Sequence, residues 1–246
     1  MLDEQGQRIV RHVEARLLGT DQPEPVIQAA GAWLAVHLGP EGFTWLSSRK
    51  TLQKTDHNHI EQIHLHSRRG NRAGQQIMLR LVLNVRDRGL AQWRHDHPHQ
   101  AIRNDGYLCG HGLDTLLGTC GLFDGIVGLT HQAKRIPRLQ DFLTKLQQVA
   151  LPWFASTADP DRLPADVPDA TLLASAAELT EWLVYRGATR QARALVERWL
   201  TLAPDNPAHF AVGRELALSG AAPDHSDLCP GMPQALGWTA TVLKVA

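Results

Sequence analysis

The stretch that most constrains this chain is residues 75–87, QQIMLRLVLNVRD. Ile77, Leu79, Leu81, Leu83 and Val85 put an apolar side chain at every second position, while Met78, Arg80, Val82 and Asn84 form a mixed opposite set. A period of two gathers each set on one face of a strand, whereas a helix would scatter the same residues around its cylinder. The expectation is therefore a sheet built around this strand, with helices covering its apolar face. The fold class is α+β, with an antiparallel sheet of about four strands, N-terminal helices and a C-terminal helical section.

Residues 42–46, GFTWL, are rich in aromatic and β-branched types and open the sheet. Residues 60–67 make the next strand, with Ile63 and Leu65 on one face and His64 and His66 on the other. The turn formers Gly70, Asn71 and Gly74 join it to the 75–87 strand as a hairpin with a basic tip. Residues 90–95, LAQWRH, are assigned to a fourth or edge strand, and a short strand is allowed at 106–109. The glycine-rich run 104–128 matches neither GxGxxG nor a phosphate loop, so no nucleotide site is assigned there.

Helical periodicity brackets this region. Ile9, Val13 and Leu17 predict a helix over 5–18 that ends at Gly19, and Ile27, Ala30, Leu34 and Leu38 predict a second. Leu139, Phe142, Leu143, Leu146 and Val149 predict a helix that stops before Leu151-Pro152-Trp153. Pro160, Pro164 and Pro168 mark a boundary between an α+β domain, 1–158, and a helical subdomain, 170–246, packed on it. There Leu172, Ala176, Leu179 and Leu183 make one stripe and Ala192, Leu195, Val196 and Trp199 the next, with Gly187 at a left-handed C-cap and Thr189 as cap of the following helix. A third helix starts at Asn206-Pro207.

Composition excludes more than it identifies. Twenty-five basic and twenty-five acidic residues cancel, so no global charge selects nucleic acid or a membrane surface. No apolar run approaches the ~18 residues that span a bilayer, and the acidic, amphipathic start lacks a signal-peptide core. The cysteines Cys109, Cys120 and Cys229 are an odd set without CxxC spacing, which points to a reducing, cytoplasmic setting.

Two stretches carry resemblances. Residues 178–206, ELTEWLVYRGATRQARALVERWLTLAPDN, resemble one tetratricopeptide repeat, with Leu179, Gly187, Ala192, Val196 and Pro204 at that repeat's spacing and Trp199 where the family prefers a small residue. Gly42-Phe43, the 60–65 strand and the 77–85 strand resemble an uncharacterised bacterial α+β domain family over about residues 25–150. Some small α+β domains of this kind resemble immunity proteins, so the resemblance implies a protein partner, of which a bacterial toxin is one kind.

Chemistry-bearing residues fall into four sets. His64 and His66 share a strand face, and His95, His97 and His99 crowd the segment RHDHPH. Neutral imidazoles at such spacing suit Zn²⁺, yet neither HExxH nor a Cys/His finger is present. Cys109-Gly110-His111 sets a thiol beside an imidazole, but such a pair works only through a hydrogen bond made in space, and Cys109 reads better as a packing residue. The carboxylate pairs Asp159/Asp161 and Asp224/Asp227 lie in proline-rich loops and read as caps. Arg68, Arg69 and Arg72 cluster at the hairpin tip, where they would meet an acidic surface; without adjoining aromatic residues, nucleic acid is not expected.

The sequence thus predicts a non-catalytic protein-binding factor of immunity or toxin-associated type, with Arg68, Arg69 and Arg72 as the contact residues and no cofactor. The alternative is a metal-dependent, Zn²⁺-using enzyme built on His64, His66, His95, His97 and His99.

Overall fold

A computed structural model describes residues 4–118, 125–223 and 228–245. Cys120 and the Asp224/Asp227 pair lie outside the described residues. In chain order the elements are α1 (Glu4–Leu18), α2 (Pro23–Leu38), β1 (Thr44–Leu46), β2 (Thr51–Asp56), β3 (His59–Ser67), β4 (Met78–Asp87), α3 (Arg88–Asp96), β5 (Tyr107–Gly112), α4 (Leu113–Leu116), β6 (Ile126–Gly128), α5 (Gln132–Lys145), α6 (Leu151–Ala158), α7 (Leu163–Asp166), α8 (Asp169–Tyr185), α9 (Thr189–Leu202), α10 (Asn206–Leu218) and α11 (Gln234–Val242). The fold is mixed α+β. The strands run in the order β1-β2-β3-β4-β5, with β6 also on β4, and β1–β2, β2–β3 and β4–β6 pair antiparallel.

The sheet has six strands, not about four. The short strands β2 and β6 escaped sequence reading because each is too brief or too polar to show alternation. Residues 90–95 are helical, not a strand: the Asp87 carboxylate accepts from the Leu90 N–H at 2.9 Å and caps α3. The helix expected to stop before Leu151 also continues, through a π-turn at Leu146–Ala150, into α6, where Pro152 sits in the first turn. Gly187 is left-handed as expected (φ +73°), but the N-cap of α9 is Ala188, and Thr189 is already inside the helix.

Contacts divide the chain into two compact units, Met1–Asn84 with His111–Pro152, and Val85–Gly110 with Trp153–Ala246. The segment 85–110 therefore belongs with the C-terminal helices, a division that a single cut between 158 and 170 does not make.

In the first unit, Ile77, Leu79, Leu81 and Leu83 are each 1% exposed or less, while Met78, Val82 and Asn84 are half-buried and Arg80 is exposed. Helix α2 buries Val26, Ile27, Ala30, Trp33, Leu34 and Leu38 and packs on α1, α5 and strands β1 to β3. Where α1 ends, the wholly buried Arg135 guanidinium of α5 donates to the carbonyls of Leu17 (2.6 Å), Thr20 (2.7 Å) and Leu129 (2.6 Å) and to the Asp21 carboxylate (2.8 Å). One side chain thus satisfies carbonyls that the end of a helix leaves without partners.

In the second unit, α8 packs on α9 and α11, and α10 on α9 and α11. Helices α10 and α11 approach backbone to backbone: a Cβ on Gly213 would fall 1.9 Å from the Gln234 carbonyl oxygen, and one on Gly237 2.1 Å from that of Phe210. The polar core is built on Arg94. Its Nε and Nη2 donate to the Glu181 carboxylate at 2.8 and 2.5 Å, and its Nη1 to the carbonyls of Asp105 and Tyr107, both at 2.7 Å. Glu181 also accepts from the Ile102 N–H at 2.7 Å, and Trp182 Nε1 donates to Asp87 at 3.1 Å. Burial pushes the Glu181 carboxyl up to about 7, against the opposing pull of Arg94. Removing one member leaves a cation buried without its partner, so Glu181→Ala should cost about 3–5 kcal/mol in urea unfolding, and Arg94→Met with Glu181→Met together markedly less. Equal losses in the single and double variants would contradict this account.

Candidate protein-binding site

The hairpin between β3 and β4 carries its own scaffold. The Asn71 carboxamide lies across its neck, donating from Nδ2 to Ser67 Oγ (3.0 Å) and the Met78 carbonyl (2.9 Å) and accepting at Oδ1 from the Met78 N–H (2.8 Å). Beyond it, Arg72 and Gln76 form an antiparallel bridge, with the Arg72 N–H 2.8 Å from the Gln76 carbonyl and the Gln75 and Gln76 N–H groups on the Arg72 carbonyl at 3.1 and 3.0 Å. Gly74, at φ +69°, takes the left-handed position that lets the chain turn back. Main-chain groups that would be loose in an open loop are thereby engaged.

Arg68, Arg69 and Arg72 are all exposed on this frame, and among the described residues none has a carboxylate within ion-pair distance. Two other arginines of the same unit are engaged, Arg80 with Asp114 at 3.3 Å and Arg135 with Asp21 at 2.8 Å, whereas Arg8, Arg11, Arg16 and Arg49 resemble the cluster in having no carboxylate within ion-pair distance among the described residues. Like charges held close together with no anion of their own create a local positive potential that favours acidic groups from outside. Each exposed contact is worth about 0.2–1 kcal/mol, so binding at such a cluster would rest on number and steering rather than on one strong pair.

A cleft of about 750 Å³ adjoins the returning limb of the hairpin, lined by Gln75, Met78, Thr130, His131 and Arg138 together with Asp21. Its one carboxylate is already committed, because hydrogen bonds from Gln132 and Arg135 hold Asp21 below the usual carboxylate range.

The second unit has a cavity of about 450 Å³, lined by Arg94, His95, Ala101, Ile102, Arg103 and Asp105 among others. Its principal charges face one another. Arg103 grips Asp105 through Nε (2.9 Å) and Nη2 (3.2 Å) and lies over the Tyr107 ring at 4.5 Å, while Arg94 is fully used by Glu181 and two carbonyls. Burial alone would raise Asp105, but the hydrogen bonds and charge of Arg103 outweigh it and hold the carboxyl low. These ion pairs complete the fold and leave no strong charge directed at a ligand.

The histidines expected to form a metal site lie in different parts of the chain. His64 and His66 stand on β3 in the first unit with ring centroids 6.0 Å apart, edge to face; His64 is half-buried with Nδ1 2.8 Å from Thr51 Oγ1, and His66 is exposed. In the second unit His95 and His99 are exposed, whereas His97 stacks on Trp93 (4.9 Å, 21°) with Nδ1 2.8 Å from the Trp93 carbonyl, which requires the proton on Nδ1. Among the described residues, no group of three or more His, Cys, Asp or Glu side chains is placed to hold a metal ion. Cys109 is wholly buried, and burial, aided by the charge of Glu178, pushes its thiol well above the ordinary range. A thiol kept protonated is a packing group, not a nucleophile.

The arginine cluster is visible in the sequence, whereas the clamp made by Asn71 and the place of Arg138 on the cleft wall are not. Asn71 read only as a turn former, and Arg138 lies just outside the apolar stripe by which α5 was recognised. Comparison with family models, characterised proteins and solved structures finds no match to this chain. Among the described residues, no helix is long and apolar enough to cross a membrane.

Asn71→Ala removes the side-chain bonds across the hairpin neck. It should cost about 1–2 kcal/mol of stability and broaden the amide resonances of residues 68–77. A variant with unchanged stability and an unchanged hairpin spectrum would show that the clamp does not hold the tip.

Proposed function

We propose that this chain is a non-catalytic recognition protein whose Arg68, Arg69 and Arg72 bind an acidic surface on another protein. The observation that carries this reading is the combination of exposed guanidinium groups without a carboxylate partner among the described residues and a hairpin held by its own hydrogen bonds. A pre-organised tip loses little conformational freedom on binding, so more of each weak contact is retained as affinity. Clustered charge of one sign accelerates encounter with an oppositely charged partner. Extended arginine forks suit carboxylates, and the absence of aromatic side chains along residues 68–76 disfavours base stacking and hence single-stranded nucleic acid.

The finer reading is an immunity-type or toxin-associated factor that covers a bacterial toxin. Its support is the resemblance carried by Gly42-Phe43 and the strands at 60–65 and 77–85. The helical hairpin of α8 and α9, with Leu179, Gly187, Ala192 and Val196 at tetratricopeptide spacing, would offer further contact surface.

The test is affinity purification from the native host with the wild-type chain and with Arg68→Ala/Arg69→Ala/Arg72→Ala, quantifying each bound protein. The reading predicts an acidic partner that the triple variant retains at about a tenth of the wild-type level or less, and that salt releases from the wild type. Equal recovery on both baits, or a partner that is not acidic, would overturn it.

A further inference from the structure

We infer that the cleft beside the hairpin is a second subsite, in which Arg138 receives a carboxylate from an acidic peptide segment of the partner. This rests on the proposed function and specifies the ligand chemistry of the same face. Arg138, on α5, is half-buried and donates from Nη1 to the Gly128 carbonyl. That contact anchors one corner of the guanidinium. Among the described residues no carboxylate lies within ion-pair reach of the remaining N–H groups. An arginine tethered by one nitrogen presents a prepared fork, the geometry that carboxylates take up through paired hydrogen bonds.

The surroundings fit an acidic peptide better than other anions. The cleft measures about 750 Å³, much larger than a single ion requires. Its walls combine Met78 and Ala133 with the polar Gln75, Thr130 and Gln132, so aliphatic and amide parts of a peptide find matching surface. No aromatic ring other than His131 lines it, which removes the stacking platform that a nucleic acid would use. Asp21, the one anion at the rim, is already neutralised by Arg135 and bonded by Gln132 and so does not repel a carboxylate as a free aspartate would. Gln75, which lines the cleft, follows Arg72 and Gly74 directly in the hairpin, so a segment lying along the returning limb would meet the Arg68, Arg69 and Arg72 cluster and the Arg138 fork in succession. Two subsites on one continuous ligand multiply their effects, because the second contact becomes intramolecular.

The experiment measures binding of a fluorescent polyglutamate peptide to the full chain at low salt, with polylysine and oligothymidylate as comparison probes. Arg138→Gln tests the fork. Because that change also loosens the Gly128 contact, Ala133→Glu is tested beside it: residue 133 is exposed on the cleft wall and the substitution adds a repelling charge without touching Arg138. The expected result is salt-sensitive polyglutamate binding that each variant weakens about tenfold, with the melting temperature of Ala133→Glu unchanged. Polyglutamate affinities within about twofold of wild type in both variants, while Arg68→Ala/Arg69→Ala/Arg72→Ala abolishes binding, would overturn the cleft subsite and leave the hairpin reading standing. Loss of binding in the cleft variants with none in the triple variant would support the subsite and count against the hairpin. Failure of polyglutamate to bind, or oligothymidylate binding as tightly, would overturn the inference altogether.

Discussion

The row of aliphatic side chains on β4 is the constraint on which the rest depends. Ile77, Leu79, Leu81, Leu83 and Val85 are all essentially removed from water. Five large apolar groups on one strand face fix its register, because a slip by one residue would turn every one of them outward. That fixed register sets where Met78 begins the strand, and Met78 is the residue whose main-chain groups Asn71 clasps. The strand also ends at a defined place: Val85 to Asp87 belong to the second unit, and Asp87 stops the strand by capping α3 and accepting the Trp182 indole. Burial of one face therefore reaches outward to the geometry of the exposed hairpin.

The arginines of this protein differ in what surrounds each guanidinium. Arg135 and Arg94, one in each unit, are wholly buried, and their donors are consumed by carbonyls and a carboxylate. They bind chain ends and loops together and have nothing left for a ligand. Arg103 is likewise spent on Asp105 and the Tyr107 ring. Among the described residues, Arg68, Arg69 and Arg72 have no such partners and Arg138 has a carbonyl on one nitrogen. These four cations stand at the hairpin and along its cleft. A net charge of zero over the whole chain conceals that local excess.

What was legible in the sequence follows from range. The period-two pattern of 77–85 and the period-3.6 stripes of α1, α2, α5, α8 and α9 are local repeats reinforced over many residues, and the structure forms all of these elements, although Ile9 of the α1 stripe is exposed. The segment 90–95 failed because its composition suits either state; a distant fact decides it, since Arg94 must reach Glu181, 87 positions away, from a helix. Strands β2 and β6 owe their state to partners on β3 and β4 more than to their own sequence. At the site, clustered arginines are visible as letters. Whether each is paired depends on long-range contacts such as the 114-residue separation between Arg135 and Asp21, and so the division of arginines into structural and free ones appears only in three dimensions.

Arg68, Arg69 and Arg72 stand on a hairpin that its own hydrogen bonds hold in order in the free protein. Amide hydrogen exchange of the free protein, read residue by residue by NMR, tests it most directly. The account predicts that the Arg72 and Met78 amides, bonded to the Gln76 carbonyl and the Asn71 side chain, exchange at least about a hundredfold more slowly than an unstructured chain, although the residues around them are exposed. Exchange of both amides at the unstructured rate would contradict it.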